Sequence, residues 1–221
     1  MYYPLNLLKT ENEIAPLFGN QLIGEPYIFD FSSGSKHITN YMVDDFDTFQ
    51  KNVFFDLEQN NAKWGIGKYL ENRKELLSQF PQFLAEGRYY HLGIDIVVPA
   101  NFYLYAPIDG QVYKTGMDKG FRNYGGYIVL KHEINGVTFY SFYGHLKKDF
   151  FINEGDVIKQ GEAFAQIGER EDSGEWFTHT HLQILTQKAI AENFITTGYI
   201  SENKLKNIEE YFPSPYLLFR Y

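Results

Sequence analysis

The chain has 221 residues, 44% of them hydrophobic, and a formal net charge of −8, enough for one large domain or one domain with a substantial extension. The acidic balance argues against a general nucleic-acid or anionic-membrane binder, though not against a local basic patch. Cysteine is absent, which excludes disulfides, thiolate metal sites and cysteine nucleophiles.

Aromatic residues are abundant, with 20 Phe and 18 Tyr. They favour strands and large packed faces, so a mainly β fold is expected. Met1–Asn6 has no basic segment followed by an apolar run, so no signal peptide is read there. No stretch approaches the apolar length of a bilayer span. A cytoplasmic protein is the expectation, unless a leader has been lost.

Tyr27–Phe31 reads as a strand, ended by Ser32-Ser33-Gly34-Ser35. Asp44 or Asp45 can cap a helix. Phe46, Phe49, Val53, Phe54 and Leu57 then recur at helical spacing on one buried face, a stripe that suits core better than a ligand site. Asn60-Asn61 breaks that pattern. Leu70, Arg73, Leu76, Leu77 and Phe80 are in phase and predict a second helix over 70–80, stopped by Pro81. From residue 89 the period changes to two. Strands are predicted at 91–97, 102–106, 110–116, 126–133 and 137–144, with Asn135-Gly136 as a hairpin turn. Gly155 and Gly161 mark two turns, followed by strands at 163–168 and 180–186. Ser201 caps a short predicted helix to about Tyr211, and Pro213 and Pro215 open an aromatic tail. The expected organisation is an α+β extension over 1–88, packed on a domain over 89–221 with a C-terminal helix and tail. The boundary is a change of period, with no flexible linker.

Four of the six histidines sit in three short segments: His91-Leu92-Gly93-Ile94-Asp95, Tyr143-Gly144-His145, and His179-Thr180-His181. On a strand, residues i and i+2 point to one face, so His179 and His181 look into one cleft. One can bind a metal while the other stays free for proton transfer. His91 and Asp95 stand about 13 Å apart on a straight strand, so they share an ion only if the backbone bends, and Gly93 is the place for it. Two histidine nitrogens, one carboxylate oxygen and a water make a catalytic zinc arrangement. No HExxH is present, so no helical glutamate supplies the base; uncoordinated His145 and His179 can do that work near neutral pH. His37 and His132 read as ordinary surface or hydrogen-bonded residues, His132 as a solvated strand end beside Lys131 and Glu133.

These segments, in this order and spacing, resemble the catalytic domain of the M23 zinc metallopeptidases, the lysostaphin or LytM type. Supporting segments are similar too: Tyr105-Ala106-Pro107-Ile108-Asp109-Gly110, Asn123-Tyr124-Gly125-Gly126-Tyr127, and Gly155-Asp156-Val157-Ile158-Lys159-Gln160-Gly161. The resemblance implies a compact antiparallel β domain of the duplicated hybrid motif type, with zinc held by His91, Asp95 and His181. It implies His145 and His179 as the catalytic pair, and a peptide or peptidoglycan-derived substrate. Three features depart from the family pattern: Phe177-Thr178 before HxH, an acidic loop from Glu169 to Glu175, and an upstream tyrosine for which only Tyr89 or Tyr90 offers itself. Ile66–Arg73 with His91–Asp95 is similar to a variant of the domain found inside large multidomain aminotransferase-containing chains. Family relatives also carry N-terminal segments that block the metal, a role Asp30, His37, Asn40 or Asn61 could take here.

Two other functions compete. A non-catalytic binding or regulatory module of the same fold would share the sequence pattern, although all five site residues are present. The histidine phosphocarrier of the glucose-type IIA domain has a motif close to His91–Asp95. Its second histidine lies upstream of that motif, whereas here the others lie downstream.

Overall fold

The computed structural model describes residues 14–35, 38 and 45–221; His37, Asn40, Asp44 and the Met1–Asn6 segment discussed above lie outside them. The elements in chain order are β1 (Tyr27–Ile28), α1 (Phe46–Gln59), β2 (Gly65–Gly67), α2 (Lys74–Leu77), α3 (Pro81–Glu86), β3 (Arg88–His91) and β4 (Ile94–Val97). They continue as β5 (Tyr103–Tyr105), β6 (Gly110–Asp118), β7 (Gly125–Ile134), β8 (Val137–Leu146), β9 (Val157–Ile158), β10 (Ala163–Gln166), β11 (His179–Thr186), α4 (Gln187–Ala191) and β12 (Tyr199–Ser201). The fold is mainly β. An eight-stranded sheet runs β1-β2-β4-β11-β8-β7-β6-β9, and β10-β5 and β12-β3 form two small sheets. The β1–β2 pair is parallel and the other pairs are antiparallel. No described helix is long and apolar enough to cross a membrane.

α1 starts as its sequence predicts. Asp45 is extended and accepts the Thr48 N–H at 2.9 Å, which satisfies a free amide of the first turn. Phe49, Val53 and Leu57 are its buried face. The hairpin turn at Asn135-Gly136 also forms, both residues having positive φ as such a turn requires.

Other elements differ from expectation. No helix spans 70–80. Leu70 is left-handed at φ 55, and the chain from 70 to 73 runs along β3, with Leu70 N–H on His91 O at 2.7 Å and Arg73 N–H on Tyr89 O at 2.9 Å. Pro81 begins α3 instead of ending a helix; its missing N–H costs nothing at a first helical position. The expected 91–97 strand is two strands interrupted at Leu92-Gly93. The C-terminal helix is replaced by 3-10 turns at Glu202–Lys204 and Ile208–Glu210, separated by a left-handed Asn207. α4 was not expected; it is capped by Thr186, whose side chain accepts the Ala189 N–H. His132 is not solvated. It is 1% exposed, with Nδ1 2.8 Å from Asp109 O and Nε2 2.7 Å from Ser141 Oγ. Its flanking charges point outward because side chains alternate along β7.

The main sheet buries both faces. On one, Ile94, Ile96, Ile128, Leu130 and Leu182 pack with Leu104 and Phe164 of the β5–β10 pair. The other face meets two aromatic-rich clusters. One joins Phe29, Phe31, Phe49, Phe80 and Phe83 to Trp176 and Phe177; the other joins Tyr124, Tyr127 and Phe142 to Ile200, Ile208 and Phe212. His91, Asp95, His145, His179 and His181 lie at the seam between these two clusters.

Candidate metal centre and catalytic pair

Strand register builds the site. Asp95 on β4 pairs with His181 on β11, with Gly67 on its other side across β2, while His181 pairs with Gly144 across β8. One row across four strands therefore reads Gly-Asp-His-Gly. Directly opposed residues share a face, so the carboxylate and imidazole meet, and the flanking glycines leave them room. His91 enters from β3 because the chain turns at Leu92-Gly93. Gly93 does not have positive φ; what requires glycine there is close approach. A Cβ would lie 2.5 Å from the His181 ring.

Three atoms converge. His91 Nε2 is 2.9 Å from His181 Nδ1, and both are 3.2 Å from Asp95 Oδ1. The outer partners set the tautomers. His91 Nδ1 faces the Lys68 carbonyl at 2.9 Å, so it carries the proton and Nε2 keeps its lone pair. His181 Nε2 faces Gln183 Oε1 at 2.8 Å, and that amide is oriented by its own donation to Thr197 O. His181 Nδ1 therefore also keeps its lone pair. Two lone pairs and a carboxylate oxygen pointing at one spot repel each other unless a cation lies between them. Burial, followed by the Arg73 charge, lowers His91 to about 3, which keeps it neutral as a metal ligand must be. Burial alone would raise the Asp95 carboxyl; with His91 neutral, the fixed charge of Arg73 overcomes it and holds it well below the ordinary range.

The second histidine pair sits alongside. His145 and His179 have ring centroids 4.3 Å apart. His145 Nδ1 meets Ser173 O at 2.9 Å, and His179 Nδ1 meets Phe177 O at 2.7 Å. Each therefore has Nε2 free, and His179 Nε2 is 3.5 Å from Asp95 Oδ1. Burial and then its histidine neighbours hold His145 well below its usual value, so it rests neutral. His145 is left-handed at φ 61, uncommon for a non-glycine residue and typical of functional positions. The Ser173 carbonyl that orients it is placed by tight loop packing, since a Cβ on Gly125 would lie 1.7 Å from Asp172 O. His145, His179, His181 and Asp95 line a pocket of about 60 Å³.

All five predicted site residues thus come together. Tyr89 and Tyr90 do not line the pocket. Tyr124 and Tyr199 do, and the Tyr124 hydroxyl is 3.1 Å from His181 Nε2. Nor do Asp30 and Asn61 reach the pocket; Asp30 is engaged with Ser32 and Lys68. The acidic loop is largely paired, Glu175 with Arg170 and Asp172 with Lys148. Sequence reading missed Arg73, which touches Asp95, and Gln50, whose Oε1 accepts the Thr178 N–H just before His179. A charged residue in phase with Leu70, Leu76 and Phe80 was the available signal for Arg73.

A mainly β fold thus holds a buried His-Asp-His cluster beside two further histidines. Residues 89–192 match the model for Peptidase family M23. Solved structures similar to it include a zinc-containing peptidase from Vibrio cholerae at 26% identity and TM-score 0.37, covering 45% of this chain and 28% of that one. LytU is similar at 27% identity and TM-score 0.37, covering 44% and 62%. The catalytic domain of the antimicrobial peptidase lysostaphin from Staphylococcus simulans is similar at 26% identity and TM-score 0.36, covering 44% and 68%. The chain thus spans less than two thirds of the first two relatives. No curated protein matches it.

Proposed function

We propose that this chain is a zinc-dependent endopeptidase that cleaves a peptide bond in a peptidoglycan-type or other small peptide. The observation that carries this reading is the convergence of His91 Nε2, His181 Nδ1 and Asp95 Oδ1, whose outer partners leave every inward lone pair unprotonated. The donor set fits zinc. Tetrahedral bonds of about 2.0–2.1 Å place ligand atoms about 3.3 Å apart, close to the observed 2.9–3.2 Å. Zinc held there by His91, Asp95 and His181 would polarise a substrate carbonyl and lower the pKa of a water at its open position.

The remaining steps fall to the chain. His145 and His179 present Nε2 to the pocket as proton acceptors, locked in that tautomer by Ser173 O and Phe177 O. One takes the proton of the attacking water as the new C–O bond forms, then returns it to the leaving amine as the C–N bond breaks. The other can stabilise the substrate oxygen that gains charge only as the imidazolium, once it has taken a proton from solvent at Nε2 and so become a donor there. The complete burial of His91 argues against a phosphocarrier, which must offer its imidazole to a protein partner.

Peptide cleavage by the zinc-loaded chain, assayed against a panel of glycyl and D-alanyl peptides, tests the proposal. His145→Ala is expected to retain zinc and lose about 10²–10⁴-fold in kcat. Cleavage unaffected by His145→Ala and by chelator would contradict it.

A further inference from the structure

Arg73 lies outside the family match, between β2 and α2, yet it is 2% exposed and reaches the centre. Its Nη1 donates to Asp95 Oδ2 at 2.7 Å, and its Nε donates to Glu71 Oε2 at 2.9 Å. Glu71, itself buried, accepts the Phe31 N–H on its other oxygen at 3.0 Å and lies 3.4 Å from Lys68 Nζ. The Lys68 carbonyl holds His91 Nδ1. Residues 68–73 therefore grip the outer side of two of the three proposed ligands.

The two oxygens of Asp95 have separate tasks. Oδ1 faces the histidines, while Oδ2 is taken by the guanidinium. A carboxylate tied in this way cannot swing to grip an ion through both oxygens. Space is reserved for the arginine. It stacks over the Phe31 ring at 5.0 Å, and a Cβ on Gly67 would lie 2.9 Å from its Nη2. Lysine could not replace this fork, because one ammonium cannot span Glu71 and Asp95 in the same plane.

The geometry points to Arg73 as a positioning residue that holds Asp95 to one-oxygen coordination, making residues 68–73 part of the metal centre. This rests on the metal reading above. Outer-sphere partners of this kind change metal affinity by about 10–100-fold.

The test uses the full chain with Arg73→Met and Arg73→Lys. Zinc affinity is measured by competition with a chromophoric chelator, and coordination by the visible spectrum of the cobalt(II)-loaded protein. Thermal unfolding of the metal-free forms separates packing from positioning. Wild type should show the intense bands of four-coordinate cobalt. Arg73→Met should bind zinc tenfold or more weakly and show weakened bands, as Asp95 becomes free to chelate through both oxygens. Arg73→Lys should fall between. A folded Arg73→Met with wild-type affinity and spectrum overturns the inference, as does a loss of affinity with an unchanged spectrum. If Arg73→Met does not fold, wild-type values in Arg73→Lys overturn it. Wild type that binds neither metal instead removes the metal reading itself, an outcome distinct from these.

Discussion

An imidazole whose Nδ1 donates to a carbonyl can act only through Nε2, and here backbone carbonyls set that choice for His91, His145 and His179. Spacing alone shows which histidines share a face, but not which nitrogen is free, because the carbonyls come from distant loops. His132 illustrates the same point. Its charged sequence neighbours suggest solvent, yet its own side chain turns into the protein. Burial, partly opposed by a hydrogen bond to Asp109, lowers it to about 4 from an ordinary 6.5. Above pH 6.5 neither folded nor unfolded chain protonates it. Between 6.5 and about 4 the unfolded chain takes up a proton that the native state excludes, so stability falls across that window, by up to about 3 kcal/mol. His132→Gln should remove this part, so its stability deficit against wild type in urea unfolding should shrink from pH 7 to pH 4. A deficit constant with pH would contradict the assignment.

At the scale of elements, strands with clear alternation and helix α1 with its Asp45 cap were legible because local rules decide them. The stretch over 70–80 was not. Its apolar spacing mimics a helix, but backbone pairing with β3 overrides it, and Pro81 is compatible with starting a helix as well as ending one. The convergence of His91, His145, His179 and His181 was readable because they sit on strands at fixed spacings. Arg73 and Gln50 were not, since they reach the site across 22 and 128 residues of sequence. These contacts make β2, α1 and the 68–73 stretch supports of the centre. Removing residues 1–88 would uncover the β4 edge, strip the Lys68 carbonyl from His91 and leave Asp95 without its cation, a break that costs several kcal/mol in a buried pair. The truncated chain should melt at lower temperature and bind less zinc, as circular dichroism and metal analysis would record. A truncated chain that folds and cleaves faster would instead mark the segment as an inhibitor.

At the scale of the whole molecule, the net charge of −8 and the aromatic content left open what the protein acts on, and the relatives it matches extend beyond it. What the molecule does specify is a single buried place, among the described residues, where two histidines and a carboxylate aim at one point. The central claim is that zinc occupies this point. The most direct measurement is metal content per chain on protein purified without chelator or nickel, with His181→Ala in parallel. About one zinc per wild-type chain and far less in His181→Ala is the expected result. Wild type that carries no zinc and takes none up when it is supplied, while remaining folded, would contradict the account.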